Sequence, residues 1–297
     1  MLGVVDVGKR FGSVVALDGI GLSVKRGQVV GFLGPNGAGK STTMRAVMGL
    51  IAVDHGTLTW DDHPITAETR YRFGYMPAER GMYPKMTVRD QLVYFARLAG
   101  RTSADAARCA QTWMERVDIA ARADDEVQAL SSGNQQRVQL AISLAHEPEL
   151  LILDEPFSGL DPIAVENMKD ILREQTARGA AVLFSSHQLD LVSDVSRDVV
   201  IINAGRVVLE GDVRTIREQA EYRYATIVFG EGTAVADWSP PLDGVQVLDR
   251  DERSIRLQLP TNTEPAAVLS AAAHAGRVVE FSLVPPDLSE VFLAVIS

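Results

Sequence analysis

An α/β core with a mixed or parallel sheet and a helical subdomain, followed by a small α+β domain, is the fold class that this 297-residue sequence predicts. Three observations predict it. Short apolar runs closed by Gly or Asp, such as Gln28 to Leu33 before Gly34 and Leu150 to Leu153 before Asp154, lack polar alternation, as strands buried on both faces do. Helical periodicity fills the stretches between these runs. Beyond about Glu218 the pattern turns to alternation: Ile255, Leu257 and Leu259 interleave with Arg256 and Gln258, which suits a sheet with one wet face.

Taken in chain order, the Gln28 to Leu33 strand leads through a Gly-rich turn into a helix from Ser41 to Met48. A helical stretch from about Thr87 to Val117 follows, with Val88, Leu92, Phe95 and Leu98 on one face. An apolar helix, Val138 to Ala145, precedes the Leu150 to Leu153 strand. Asp161 stands as N-cap before Pro162, and the helix to Ala177 carries Ile163, Met168, Ile171 and Leu172 on a broad apolar side. Gly179 ends it, and Ala180 to Phe184 returns to strand. Thr263 to Ala275 and Asp287 to Ile296 read as helices, the second after the Pro285–Pro286 break. The expected domains are residues 1–217, with the helical subdomain at about 80–140, and residues 218–297.

Lys plus Arg number 29 against 39 for Asp plus Glu, a formal net charge of −10, which argues against nucleic acid as a partner. The single cysteine, Cys109, has no intramolecular partner, and no charged-then-apolar segment opens the chain, so a cytoplasmic location is expected. The apolar runs are far shorter than the ~20 residues needed to cross a bilayer. If the protein works at a membrane, a partner supplies the spans.

Gly34–Pro35–Asn36–Gly37–Ala38–Gly39–Lys40–Ser41 fits G-x-x-x-x-G-K-[ST] between a strand and a helix, the context this phosphate-binding pattern requires. Its glycines let successive backbone N–H groups point at phosphate oxygens, and the helix N-terminus adds its positive end. Lys40 places a point charge on the β- and γ-phosphates, Ser41 offers a hydroxyl to Mg²⁺, and Thr42 supports it from the next position. Downstream, Asp154 and Glu155 close a buried strand at the edge where open α/β sheets bind ligands. Asp154 is the residue type that holds Mg²⁺, and Glu155 the type that polarises the attacking water. An acidic pair can also merely end a strand, a reading that the Lys40 loop outweighs.

Leu130–Ser131–Ser132–Gly133–Asn134–Gln135–Gln136–Arg137 before an apolar helix, Ser158–Gly159–Leu160–Asp161 after the acidic pair, and Ser185–Ser186–His187 after a further strand complete an ordered series over most of residues 1 to 215. In this series the sequence resembles the ATP-binding cassette (ABC) ATPases. The resemblance implies that Ser131 and Gly133 bind the γ-phosphate of an ATP held by an opposite subunit, in a head-to-tail dimer. It implies that His187 contacts the γ-phosphate, that Asp161 lies across the dimer interface, and that Phe11 stacks on adenine, although Phe11 also reads as a core residue. ATP and Mg²⁺ are the implied cofactors.

The signature departs from the family pattern at Ser132 and Asn134, where Gly and Gln are common; a helix N-terminus tolerates both changes. The second departure is Ala78, in Tyr75–Met76–Pro77–Ala78–Glu79–Arg80, where many relatives carry Gln. The neighbouring Glu79 is the candidate for the metal or water contact that Ala78 cannot make. This loop and the accessory domain resemble those of ABC-2 type exporters of sodium or drugs. The expected partners are a second ABC subunit, giving a homodimer, and a separate polytopic transmembrane permease, with the chain peripheral on the cytoplasmic face of the cell membrane. Three rival readings fit less well. A soluble ABC protein of translation usually has two cassettes. A chromosome or DNA-repair ATPase needs a long coiled-coil insertion, for which the stretch between Lys40 and Leu130 is too short. An importer ATPase fits the exporter-like loop and accessory domain less well.

Overall fold

The computed structural model describes residues 1–231 and 238–296. The chain forms two compact units, Met1–Gly211 and Asp212–Ser297. The division lies ahead of the break expected near Glu218, because helix Val213–Glu218 belongs to the second unit.

The first unit opens with strands β1 (Leu2–Phe11), β2 (Val14–Val24) and β3 (Val29–Leu33), then helix α1 (Lys40–Val47), β4 (His55–Trp60), β5 (His63–Pro64), α2 (Ala67–Arg70) and β6 (Phe73–Met76). Helices α3 (Val88–Leu98), α4 (Ser103–Arg116) and α5 (Ser132–Leu144) come next. They are followed by β7 (Leu150–Leu153), α6 (Pro162–Ala177), β8 (Ala181–Ser185), α7 (Leu189–Val195), β9 (Asp198–Asn203) and β10 (Arg206–Asp212).

A six-stranded sheet, in the order β10-β9-β3-β8-β7-β6, runs parallel from β9 to β6. Its central strands are buried throughout, which is why they read as unbroken apolar runs. An antiparallel sheet, in the order β2-β1-β4-β5, packs on it. One core joins the two: Leu2, Val4 and Ile20 meet Phe32, Ile152 and Leu183, with Met44 and Val47 of α1 among them. This antiparallel sheet escaped the sequence reading, because the β1–β2 and β1–β4 pairings contain register shifts that interrupt the alternation of apolar and polar residues.

The helical stretch expected from Thr87 to Val117 is two helices. Gly100 (φ 90°) follows α3 in a left-handed conformation, and the Thr102 hydroxyl caps α4 by accepting the Asp105 N–H at 3.2 Å. Helix α5 starts six residues before the Val138 expected for it, with Ser131 as N-cap. It packs on α3, α4 and β6, and so joins the helical subdomain to the edge of the main sheet.

The second unit holds α8 (Val213–Glu218), β11 (Tyr222–Phe229), β12 (Gln246–Arg250), β13 (Ser254–Pro260), α9 (Pro265–Ala275), β14 (Val278–Val284) and α10 (Leu288–Ile296). Among the described residues its strands form an antiparallel sheet, β12-β13-β11-β14. Ile255, Leu257 and Leu259 point into a core with Ala225, Ile227, Phe229 and Val268 of α9, while Arg256 stays outside, as the alternation requires. Helices α8 and α10 pack together, and Arg217 Nε donates to Pro286 O at 2.7 Å.

Candidate active site

At Gly34 and Gly39 the loop between β3 and α1 passes too close to its neighbours for a side chain. At Gly39, φ is 110°, and a Cβ there would stand 2.7 Å from Ala16 O. At Gly34 a Cβ would approach Ile202 O to 2.3 Å. Lys40 opens α1 and is only 8% exposed; its Nζ donates to Gly34 O at 2.6 Å and Pro35 O at 3.2 Å, curling the ammonium back over the loop. Burial holds its pKa below the ordinary lysine value, against the opposing pull of Glu155 and Asp154. A cleft of about 260 Å³ brings Asn36, Gly37 and residues 39–42 together with Ala78, Asp154 and Glu155. Gly34, Pro35 and Ala38 shape the loop without lining this cleft.

Asp154 directly follows β7 and is 1% exposed. Its Oδ1 accepts the Ser185 hydroxyl at 2.6 Å, while its Oδ2 is buried with no hydrogen-bond partner among the described residues. A desolvated carboxylate oxygen left unpaired is costly. A small hard cation answers that need: Mg²⁺ takes one or two protein oxygens and fills its octahedron with waters and substrate phosphates. Asp154 Oδ2 and the Ser41 hydroxyl, which share the cleft, fit such an ion.

Glu155 follows in the left-handed region, with φ at 54°, a strained conformation for a side chain of this type. Its N–H donates to Ser185 Oγ at 2.9 Å, and its carbonyl accepts Gln136 Nε2 at 3.0 Å, so the turn is held from two sides. The exposed His187 lies with Nδ1 2.7 Å from Glu155 Oε2, joining the last strand-end residue of the series to the acidic pair. Ser185 and Gln136 were not singled out as site residues from sequence. The β7–β8 register, Leu153 beside Phe184, places Ser185 next to Asp154, and only the pairing of two distant strands reveals it.

The remaining expected residues lie outside the Lys40 cleft of their own chain. Ser131 caps α5, with Oγ 3.4 Å from Asn134 N, and a Cβ on Gly133 would come within 3.1 Å of Gly159 O, so the two loops lie against each other. Asp161 caps α6 by accepting the Ala164 N–H at 2.9 Å and pairs with Arg137 at 3.2 Å. The capping bond is the main reason its carboxyl sits below the usual range. Phe11 ends β1 half-exposed, with Lys9 Nζ 5.4 Å from its ring centre, which makes it a surface aromatic and not a core one. Glu79 is 87% exposed and faces Arg45 of α1 at 3.5 Å.

A cleft combining the phosphate cradle after β3 with an acidic pair after β7, on the far side of β8, defines a nucleotide-binding ATPase. Residues 17–158 match the ABC transporter family, and residues 211–296 match the C-terminal domain of DrrA1-3-like ATP-binding proteins. The chain is 36% identical over 300 residues to YhaQ of Bacillus subtilis, described as an uncharacterized ABC transporter ATP-binding protein; the match covers 99% of this chain and 97% of that one. It is 33% identical to the linearmycin resistance ATP-binding protein LnrL of the same species, covering 71% of this chain and 69% of the relative. The Nod factor export ATP-binding protein I of Burkholderia orbicola is 35% identical over 69% of each chain. Among solved structures, an ATP-binding subunit of an ABC transporter superposes with a TM-score of 0.69 at 30% identity, over 74% of this chain and 92% of the other. The chain belongs to the ABC transporter ATP-binding proteins: it is an ATP-binding ABC ATPase. Members of the family dimerise and act with transmembrane permeases. No helix among the described residues is long and apolar enough to cross a membrane.

Proposed function

We propose that the chain is the hydrolysing subunit of an ABC-2 type exporter, docked as a homodimer on the cytoplasmic face of a separate polytopic permease. The observation that carries the reading is the convergence of Asn36, Gly37, residues 39–42, Asp154 and Glu155 on one cleft. The relatives named for linearmycin resistance and Nod factor export support the direction of transport. Residues 34–42 cradle the phosphates of ATP, and Lys40 exchanges its loop carbonyls for phosphate oxygens. Asp154 and Ser41 hold Mg²⁺, which when bound offsets the charge on the β- and γ-phosphates.

Glu155 orients the attacking water and takes its proton at the carboxylate while the β–γ bridging bond breaks. His187, joined to Glu155, holds that carboxylate in place and addresses the γ-phosphate. Phe11 stacks on adenine. Ser131 and Gly133 present the α5 N-terminus, and Asp161 its loop, to the ATP of the opposite subunit. Glu79 supplies the metal or water contact that Ala78 lacks. The second unit is an accessory domain of this machine.

Affinity capture of the tagged full chain from detergent-solubilised native membranes, followed by mass spectrometry, tests the reading. A polytopic membrane protein recovered in near-equal amount is the expected result. Ribosomes or DNA complexes without a membrane partner would overturn the transport function and leave the ATPase.

A further inference from the structure

Helix α5 carries two buried glutamines one turn apart, and each grips a different wall of the ATP cleft. Residues three apart share a helix face. Gln136 Nε2 donates to Glu155 O and Pro156 O, both at 3.0 Å, and so holds the turn after β7. Gln139 Nε2 donates to Pro77 O at 2.7 Å and Glu79 O at 3.3 Å. These two carbonyls flank Ala78, which lines the cleft and has no polar side-chain atom of its own. Further back, Met76 O accepts the Asp154 N–H at 2.8 Å, fixing the end of β6. Past that point the Gln139 amide reaches loop carbonyls on both sides of Ala78.

The chemistry of Gln139 is a poor choice for stability alone. The residue is 4% exposed, and its Oε1 is buried with no hydrogen-bond partner among the described residues. A half-satisfied buried amide costs free energy that a methionine or leucine of similar volume would not. What it gains is a two-pronged hold on the loop. We propose that Gln139 is a positioning residue that ties α5 to the Pro77–Glu79 loop, so that α5 acts through Gln136 and Gln139 on both walls of the cleft at once. An anion engaging the α5 N-terminus at Ser131 then moves the Glu155 turn and the Ala78 loop in step. The loop needs no polar side chain at position 78, because its coupling runs through its backbone. The inference rests on the reading of the Lys40 cleft as the ATP site.

Limited trypsinolysis of the full chain without nucleotide, read by mass spectrometry, tests the tie independently of that reading, because the exposed Arg80 offers a cleavage site inside the loop. Gln139→Met keeps the volume and the helix and removes the donor. Cleavage after Arg80 is expected about tenfold faster, equivalent to about 1.4 kcal/mol of lost local stability, while cleavage at the arginines of α3 and α4 keeps its native rate. In Mg-ATP turnover, kcat is expected to fall about tenfold with KM within about twofold, since the phosphate loop is untouched and only the position of the opposite wall changes. If Gln139→Met gives no cooperative melt, Gln139→Ala is measured in the same way with the same expectation. Unchanged cleavage after Arg80, or cleavage raised equally across α3, α4 and the loop, would overturn the proposal and leave Gln139 a packing residue.

Discussion

The Ser185 hydroxyl donates to Asp154 Oδ1 at 2.6 Å and accepts the Glu155 N–H at 2.9 Å, so one side chain from β8 fixes both members of the acidic pair. Its first bond leaves Oδ2 as the free oxygen of Asp154; its second holds Glu155 in its left-handed conformation. Ser185→Ala removes both bonds inside a fully buried strand. The expected cost is about 1–3 kcal/mol of stability, because a buried carboxylate oxygen and an N–H lose their partner. Mg²⁺-dependent turnover should fall further than the stability loss explains. Urea unfolding and ATPase rates over a Mg²⁺ titration measure the two effects, and an unchanged Mg²⁺ requirement would separate Ser185 from the metal site.

Glu155→Gln keeps the shape of the side chain and its reach to His187 but removes its capacity to take a proton. Phosphate binding through residues 34–42 is untouched. The variant is expected to bind Mg-ATP, to accumulate as a closed dimer seen by size-exclusion chromatography, and to lose hydrolysis by ~10²–10⁴-fold, the range general-base removal covers. Turnover at the native rate would assign water activation to another residue.

Much of this site was legible because its parts are short and local. The loop from Gly34 to Ser41 and the Leu150 to Leu153 strand with Asp154 after it are contiguous, and Pro162–Ala177 is bounded by its own cap and its terminal glycine. What escaped detection depends on pieces far apart in the chain. Ser185 reaches Asp154 through the register of β7 and β8, and Gln139 reaches Pro77 across 62 positions. Neither carries a spacing signal. The β1–β2–β4 sheet was hidden by irregular pairing, and the α3–α4 break by a periodicity that continues across Gly100.

Gly39 tests the cradle without removing a charged group. An alanine there must adopt φ near 110° and place its Cβ 2.7 Å from Ala16 O and 2.8 Å from Leu17 Cδ2. Backbone cannot yield as a flexible side chain does, so the loop or β2 must shift. Gly39→Ala is expected to weaken Mg-ADP binding by at least about tenfold, since every phosphate contact depends on the loop path. Isothermal titration measures it; native affinity would show that the loop absorbs the strain.

Glu79 faces Arg45 on α1, about one turn beyond the phosphate loop. Both side chains are substantially exposed, so the pair contributes little stability, within about 1 kcal/mol. Glu79→Ala should therefore leave the melting temperature unchanged. If Glu79 supplies the metal or water contact beside Ala78, turnover falls several-fold and the Mg²⁺ concentration for half-maximal rate rises. Native turnover and native transport would remove that role.

His146 links the end of α5 to the start of β6, with Nε2 3.1 Å from Phe73 O, so the neutral ring donates from Nε2. Burial is the main cause that holds its pKa below the ordinary value of 6.5; Arg101 adds to the depression and the Phe73 carbonyl opposes it. The unfolded chain therefore binds this proton more readily than the folded one. Stability is complete above about pH 6.5, falls as pH drops from there toward the lower folded value, and is constant below it. Between pH 7.5 and 5.5 the urea midpoint should decline. The glutamine of His146→Gln keeps an N–H donor for Phe73 O and does not titrate, so its midpoint is expected to lose most of that slope while matching the native chain near pH 7.5 to within about 1 kcal/mol. An equal decline in both proteins would place the acid sensitivity on other groups.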